Sequence, residues 1–141
     1  MSAGRCFFHA PWKIAADNAT RERTATAALD AWTPATDVVE TENGWILWME
    51  TPGVAAEDVS IHLEGARLVV RGVRRPPTPG GCQRYRQLEI RHGVFEREIP
   101  LPGPVAENGA SARLADGVLE IRLPRGDAVV FTLWAVRVLG R

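Results

Sequence analysis

The stretch Ala112-Arg113-Leu114-Ala115-Asp116-Gly117-Val118-Leu119-Glu120-Ile121-Arg122-Leu123 decides the fold. Leu119, Ile121 and Leu123 alternate with Glu120 and Arg122, the period of two that puts apolar side chains on one face of a strand and charges on the other. Asp116-Gly117 supplies the positive φ that a tight hairpin requires, so residues 110–114 and 118–123 are predicted to be antiparallel neighbours. The same code recurs upstream. Val59, Ile61 and Leu63 alternate with Ser60, His62 and Glu64, and Leu68 and Val70 alternate with Arg67, Val69 and Arg71. Trp45, Leu47 and Met49 do so less cleanly against Ile46 and Trp48. Asn43-Gly44, Pro52-Gly53 and Gly80-Gly81 separate the runs as turn dipeptides. Several short strands divided by turns predict an all-β domain, a sandwich or a barrel.

One strand breaks the code. Phe95, Arg97 and Ile99 share a face, which places an arginine between two residues that point toward a core or an interface. A lone buried charge costs several kcal/mol even after relaxation, so Arg97 needs an acidic or carbonyl partner; the other reading is an edge strand whose arginine head reaches water. Before the strands, residues 1–31 form an arm with Phe7, Phe8 and Trp12 close together, aromatics that a solvated segment ordinarily lacks unless they bind something. After them comes a tail that is apolar from Val129 to Leu139 apart from Thr132 and Arg137.

With 141 residues and 45% apolar content, the chain can bury one core but not two of ordinary size. Its 17 basic and 17 acidic residues cancel, so no global field draws it to nucleic acid or an anionic membrane, and neither is expected as a partner. The charges are segregated. Asp37, Glu40, Glu42, Glu50, Glu57, Asp58 and Glu64 precede an arginine-rich stretch from Arg67 to Arg97. These segments either meet, within or between subunits, or remain two solvated faces. The two cysteines, Cys6 and Cys82, make no disulfide framework and suit a reducing cytoplasm. The first dozen residues lack the continuous apolar stretch of an export signal. The apolar tail falls short of the roughly 20 residues needed to span a bilayer.

The residues from Thr33 to Pro124 resemble the α-crystallin domain of small heat-shock proteins. Pro34-Ala35-Thr36-Asp37-Val38-Val39-Glu40 is similar to the first core strand of that family. Glu50-Thr51-Pro52-Gly53-Val54 with Glu57-Asp58-Val59 resembles its Leu-Pro-Gly and acidic-Asp-Val signature. Leu68 to Arg74 fits its Leu-x-Val-x-Gly-x-Arg strand, and Glu89 with Gly93-Val94-Phe95-Glu96-Arg97 fits its Gly-x-Phe-x-Arg element, closed by Leu101-Pro102. Ala112 to Leu119 resembles the Ala-x-x-x-n-Gly-Val-Leu hallmark, which gives Gly117 and Leu119 a structural role beside Gly93, Phe95 and Arg97. The resemblance implies an immunoglobulin-like β-sandwich over residues 32–126, with a short N-terminal arm (1–31) and a C-terminal extension (127–141).

It also implies a function: an ATP-independent holdase that covers partly unfolded proteins, forms homodimers and larger homo-oligomers, and uses no cofactor, metal or catalytic residue. Val136-Arg137-Val138 resembles the family's Ile-x-Ile/Val motif, whose two branched residues dock at the sandwich edge of another subunit. By analogy the groove lies between strands 59–63 and 110–114, with Ile61, Leu63, Ala112 and Leu114 as its neighbours. Phe7, Phe8, Trp12 and Trp48 are the candidate client-binding residues; Trp48, in an outward position, either serves clients or packs under the arm or the tail. Departures from the family pattern are the apolar tail, Ile90 where a basic residue commonly stands, and a 75–84 loop carrying Pro76, Pro77 and Pro79. Bacterial and plant relatives extend that loop to insert a strand into a partner's sheet, and proline cannot donate ladder bonds.

Two other chemistries fit poorly. His9, His62 and His92 with Cys6 and Cys82 have no metal-ligand spacing, and Ser2, Ser60 and Ser111 lie outside any nucleophile elbow. A co-chaperone or protein-interaction sandwich without holdase activity is the remaining alternative.

Overall fold

The computed structural model describes residues 31–64, 66–77, 84, 86–127 and 134–140. The alternating runs become β1 (Thr36–Thr41), β2 (Gly44–Glu50), β3 (Val59–Glu64), β4 (Arg67–Arg74), β5 (Gly93–Pro100), β6 (Ser111–Ala115) and β7 (Val118–Pro124). The tail adds β8 (Trp134–Val136) and β9 (Val138–Gly140), and a 3-10 turn, Ala56–Asp58, leads into β3. The strands make two sheets, ordered β1-β2-β7-β6-β9 and β5-β4-β3-β8. All pairings within them are antiparallel except β6 with β9. The molecule is the expected all-β sandwich.

Period-two alternation is what makes two layers possible. Trp45, Leu47 and Met49 of β2, Ala112 and Leu114 of β6, and Leu119, Ile121 and Leu123 of β7 face inward from the larger sheet. They pack on Ile61, Leu63, Leu68, Val70, Phe95 and Ile99 from the smaller one. Removing these side chains from water, at about 25 cal/mol per Å² of apolar surface, is the main force joining the layers. The hairpin at Asp116-Gly117 forms as the sequence predicts, with φ of 52° and 78°. Both are positive, as the tightest hairpin turn demands, and glycine takes the second position without steric cost. The reversal before β2 falls one residue earlier than the Asn43-Gly44 reading: Glu42 and Asn43 turn, and Gly44 already pairs with Thr41. The Thr41 hydroxyl donates to the Gly44 carbonyl at 3.1 Å and closes the loop.

The acidic and basic segments meet in part. Arg75 pairs with Asp58 and Arg67 with Glu64, while Arg71 and Arg67 find Glu96 and Glu98 within the arginine-rich stretch itself. Asp58 is the sheltered member of the set, at 14% exposure; the other side chains are well exposed, and pairs among exposed groups contribute no more than about 1 kcal/mol each.

Candidate functional site

β3 and β6 belong to different sheets, and between them the sandwich has an open flank lined by the inward side chains Ile61, Leu63, Ala112 and Leu114. The tail fills it. β8 pairs antiparallel with β3, setting Val136 opposite Ile61 and Ala135 opposite His62. β9 pairs parallel with β6, setting Val138 opposite Ala112 and Gly140 opposite Leu114. Arg137 is the crossing residue. It stays exposed, whereas Val136 is 7% exposed within the core cluster and Val138 is half-buried against it. Spacing of two explains this, because residues 136 and 138 of an extended chain point the same way and 137 points opposite. The four groove residues and the two tail valines are therefore in one place, and the tail seated there is the chain's own.

Trp48 lies on the outer face of the larger sheet, 37% exposed, between Asp37 of β1 and Glu120 of β7. Its indole N–H donates to Glu120 Oε2 at 2.9 Å, and Arg122 Nε donates to Glu120 Oε1 at 2.7 Å. These two donors, Arg122 foremost, hold the Glu120 carboxyl below its ordinary pKa. Val39, Ile46 and Val118 surround the indole on the same face. Phe7, Phe8 and Trp12 lie outside the described residues.

At the opposite margin, Phe95 is fully buried and Gly93, at a φ of 94°, opens β5. Arg97 stands opposite Val70, half-buried, its Nε shielded from solvent and without a hydrogen-bond partner among the described residues. Sequence reasoning missed its neighbour Trp32. That residue bridges to β5, its N–H donating to Val94 O and its carbonyl accepting from Glu96 N, both at 3.2 Å. Its ring lies 5.1 Å from Phe95 and 4.1 Å beneath the Arg74 guanidinium, whose pKa burial lowers. The only sequence signal was a large aromatic immediately before the first strand. Leu119, opposite both Met49 and Leu114, is fully buried in the core, and Gly117 is the hairpin residue already described.

Two further features face solvent. β1 has β2 on one side and, among the described residues, no strand on the other; Val38 and Val39 are 45% and 40% exposed. Leu88 and Ile90, two apart before β5, are about two-thirds exposed at 67% and 66%. Among the described residues no three His, Cys, Asp or Glu side chains gather as a metal site, and no helix is long and apolar enough to cross a membrane.

The Hsp20/alpha crystallin family model matches residues 37–130. Small heat shock protein C2 of Rickettsia felis is 30% identical over 92 residues, which is 65% of this chain and 60% of that protein. Spore protein SP21 of Stigmatella aurantiaca is 34% identical over 95 residues, 67% of this chain and 56% of that protein. The chain thus spans somewhat under two thirds of these relatives' length. Among solved structures, heat shock protein 16.0 of Schizosaccharomyces pombe superposes with a TM-score of 0.59 at 30% identity, covering 67% of this chain and 87% of that one. HspA of Xanthomonas axonopodis gives 0.59 at 31% identity, with 67% and 94% covered. A small heat-shock protein from Xylella fastidiosa, described as having a distinct high order structure, gives 0.59 at 27% identity, with 70% and 91% covered.

Proposed function

The chain belongs to the Hsp20/alpha crystallin family, and from that premise we propose that it is a holdase: it binds partly unfolded proteins without ATP and keeps them from aggregating. The observation that carries this reading is the β3/β6 flank, a site that takes an extended apolar segment by backbone pairing on two strands and by seating Val136 and Val138 between the layers. In this reading the chain's own tail leaves the flank, and any strand with small branched residues two apart then meets the same chemistry. A client that has lost its fold exposes such segments, and covering them removes the surface through which it would aggregate. No reacting group is needed. Arm residues Phe7, Phe8 and Trp12 complete the client-binding surface in this reading, with 1–31, 32–126 and 127–141 acting as arm, sandwich and extension.

Assembly follows from the remaining edge. Among the described residues, β1 offers six residues of ladder with no strand on its outer side, and Leu88 and Ile90 offer alternating apolar side chains about two-thirds exposed. The prolines that would interrupt a ladder, Pro76, Pro77 and Pro79, stand upstream of residues 86–91, which contain none. The proposed homodimer places the 86–91 segment of one chain along β1 of its sister.

The test of the holdase is heat-induced light scattering of a labile client with no nucleotide present. Stoichiometric protein is expected to delay and diminish the signal. An unaltered aggregation curve at several-fold excess would reject the holdase and leave the interaction-module alternative.

A further inference from the structure

The outer face of the larger sheet carries an apolar patch for which neither the groove nor the edge has a use. Val39, Ile46, Trp48 and Val118 sit on three adjacent strands, each beside or diagonal to the next. Diagonal neighbours on a sheet remain within reach of large side chains. The indole at its centre is not a loose surface ring: Glu120 holds its N–H, and Arg122 holds Glu120, so its plane is set before anything binds. Charges flank the patch, with Asp37 and Glu50 toward one side and Arg113 and Arg122 toward the other.

Size decides what can sit there. Three strands about 4.8 Å apart and four residues of about 3.4 Å give a plane of roughly 200 Å². A separate protein needs on the order of 800 Å² on each partner for a stable contact. A segment tethered to the same chain needs far less, because the tether supplies a local concentration of about millimolar. One such segment is present. Residues 1–30 lead to Ala31, beside which Trp32 is fixed on β5, and five residues later Asp37 lies directly opposite Trp48. Trp12 is nineteen residues before Ala31, and a random-coil tether of that length would span about 25 Å root-mean-square. That exceeds the separation of about 10 Å between packed sheets, so either outer face is within reach.

We propose that this face is the dock for the arm of the same chain, with Phe7, Phe8 and Trp12 packing on Trp48 and its apolar neighbours. The proposal stands whether or not the chain is a holdase. Aromatic rings bring large contact area for few rotatable bonds, which suits a small platform.

The experiment uses the full chain with a photo-crosslinking p-benzoylphenylalanine at Trp48, at Val118 in a second variant so that the indole stays in place, and at Ser60 on the exposed face of the other sheet as control. Equal amounts of ¹⁴N- and ¹⁵N-labelled protein are mixed before assembly, and crosslinked peptides are assigned by mass. Both probes on the patch are expected to capture residues 5–14 in isotopically uniform, same-chain pairs. Capture should fall several-fold when Phe7, Phe8 and Trp12 are replaced by serine. Mixed-isotope pairs would mean that a second copy covers the face, and no capture of the arm would mean that the face stands open; either overturns the proposal. Equal capture at Ser60 would do the same, because the contact would then lack a site.

Discussion

Gly72 faces Phe95 across β4 and β5, and a Cβ there would run into the Phe95 ring and lie 2.8 Å from the Asp58 carbonyl oxygen. The ring cannot withdraw, since it is fully buried against Trp32. Gly72→Ala should therefore cost about 1–3 kcal/mol, the usual penalty of overpacking, and lower the melting midpoint by at least about 4 °C for a domain of this size. An unshifted melt would show that β4 and β5 can part. Arg97→Gly is expected to destabilise for a different reason. It removes the stem that packs between Phe95 and Ile99 and places glycine within a strand, a loss of order 1 kcal/mol or more. A melt superimposable on wild type would make Arg97 a solvent-facing residue after all. Glu120 gives a pH test. Its carboxyl is held below the ordinary range by Arg122 and Trp48, so what it contributes is present above the unfolded-state value near 4.3 and is lost as pH falls through the lower folded value. The Trp48 indole N–H resonance should shift with a midpoint below about 4.3, and Glu120→Gln should abolish that titration. A midpoint at or above the ordinary value would break the proposed link between the two side chains.

β8 and β9 are three residues each, and what holds them is the flank rather than their own length. Replacing Val136 and Val138 together by alanine removes four methyl groups' worth of apolar contact, about 0.8 kcal/mol for each one fully buried. The body of the sandwich loses little, because β2 and β7 pair with neither β8 nor β9. The expected result is fast amide exchange across residues 134–140 with β2 and β7 still protected. Tail protection at the wild-type level would remove the two valines from that role. This flank was legible in part. Val136-x-Val138 and the groove of Ile61, Leu63, Ala112 and Leu114 were legible through resemblance to the family's tail motif, and period two accounts for the inward positions these side chains take. Which chain supplies the strand was not legible, because an edge site reads backbone and side-chain shape and is indifferent to covalent connection. The strands with one buried face were readable, as β7 demonstrates. β1 was legible only through its resemblance to a family strand: Asp37, Val38, Val39 and Glu40 do not alternate, and both valines are substantially exposed at this margin. Trp32 escaped because an isolated two-hydrogen-bond bridge has no periodicity to detect.

Two sheets have four margins, and each unpaired one invites association. The tail forms two of them as strands of three residues, too short to template much pairing, and Trp32 occupies part of the β5 margin through its two backbone bonds. The remaining margin, β1, is six residues long and carries apolar side chains on both faces. A chain so arranged should associate chiefly through β1, and the exposed Leu88 and Ile90 are its proposed complement on the sister chain. Replacing both by aspartate puts charge where an apolar strand must lie, yet it touches no core contact, so the folded subunit should change by no more than about 0.5 kcal/mol for each exposed site. Solution mass measured across concentration and temperature is then expected to fall toward the single-chain value, while the unfolding midpoint of the dissociated subunit stays where the wild-type sandwich has it once diluted. If the mass holds while the melt is unchanged, β1 is covered by something other than the 86–91 segment. If mass and melt collapse together, those residues support the fold itself and the strand-exchange dimer loses its basis.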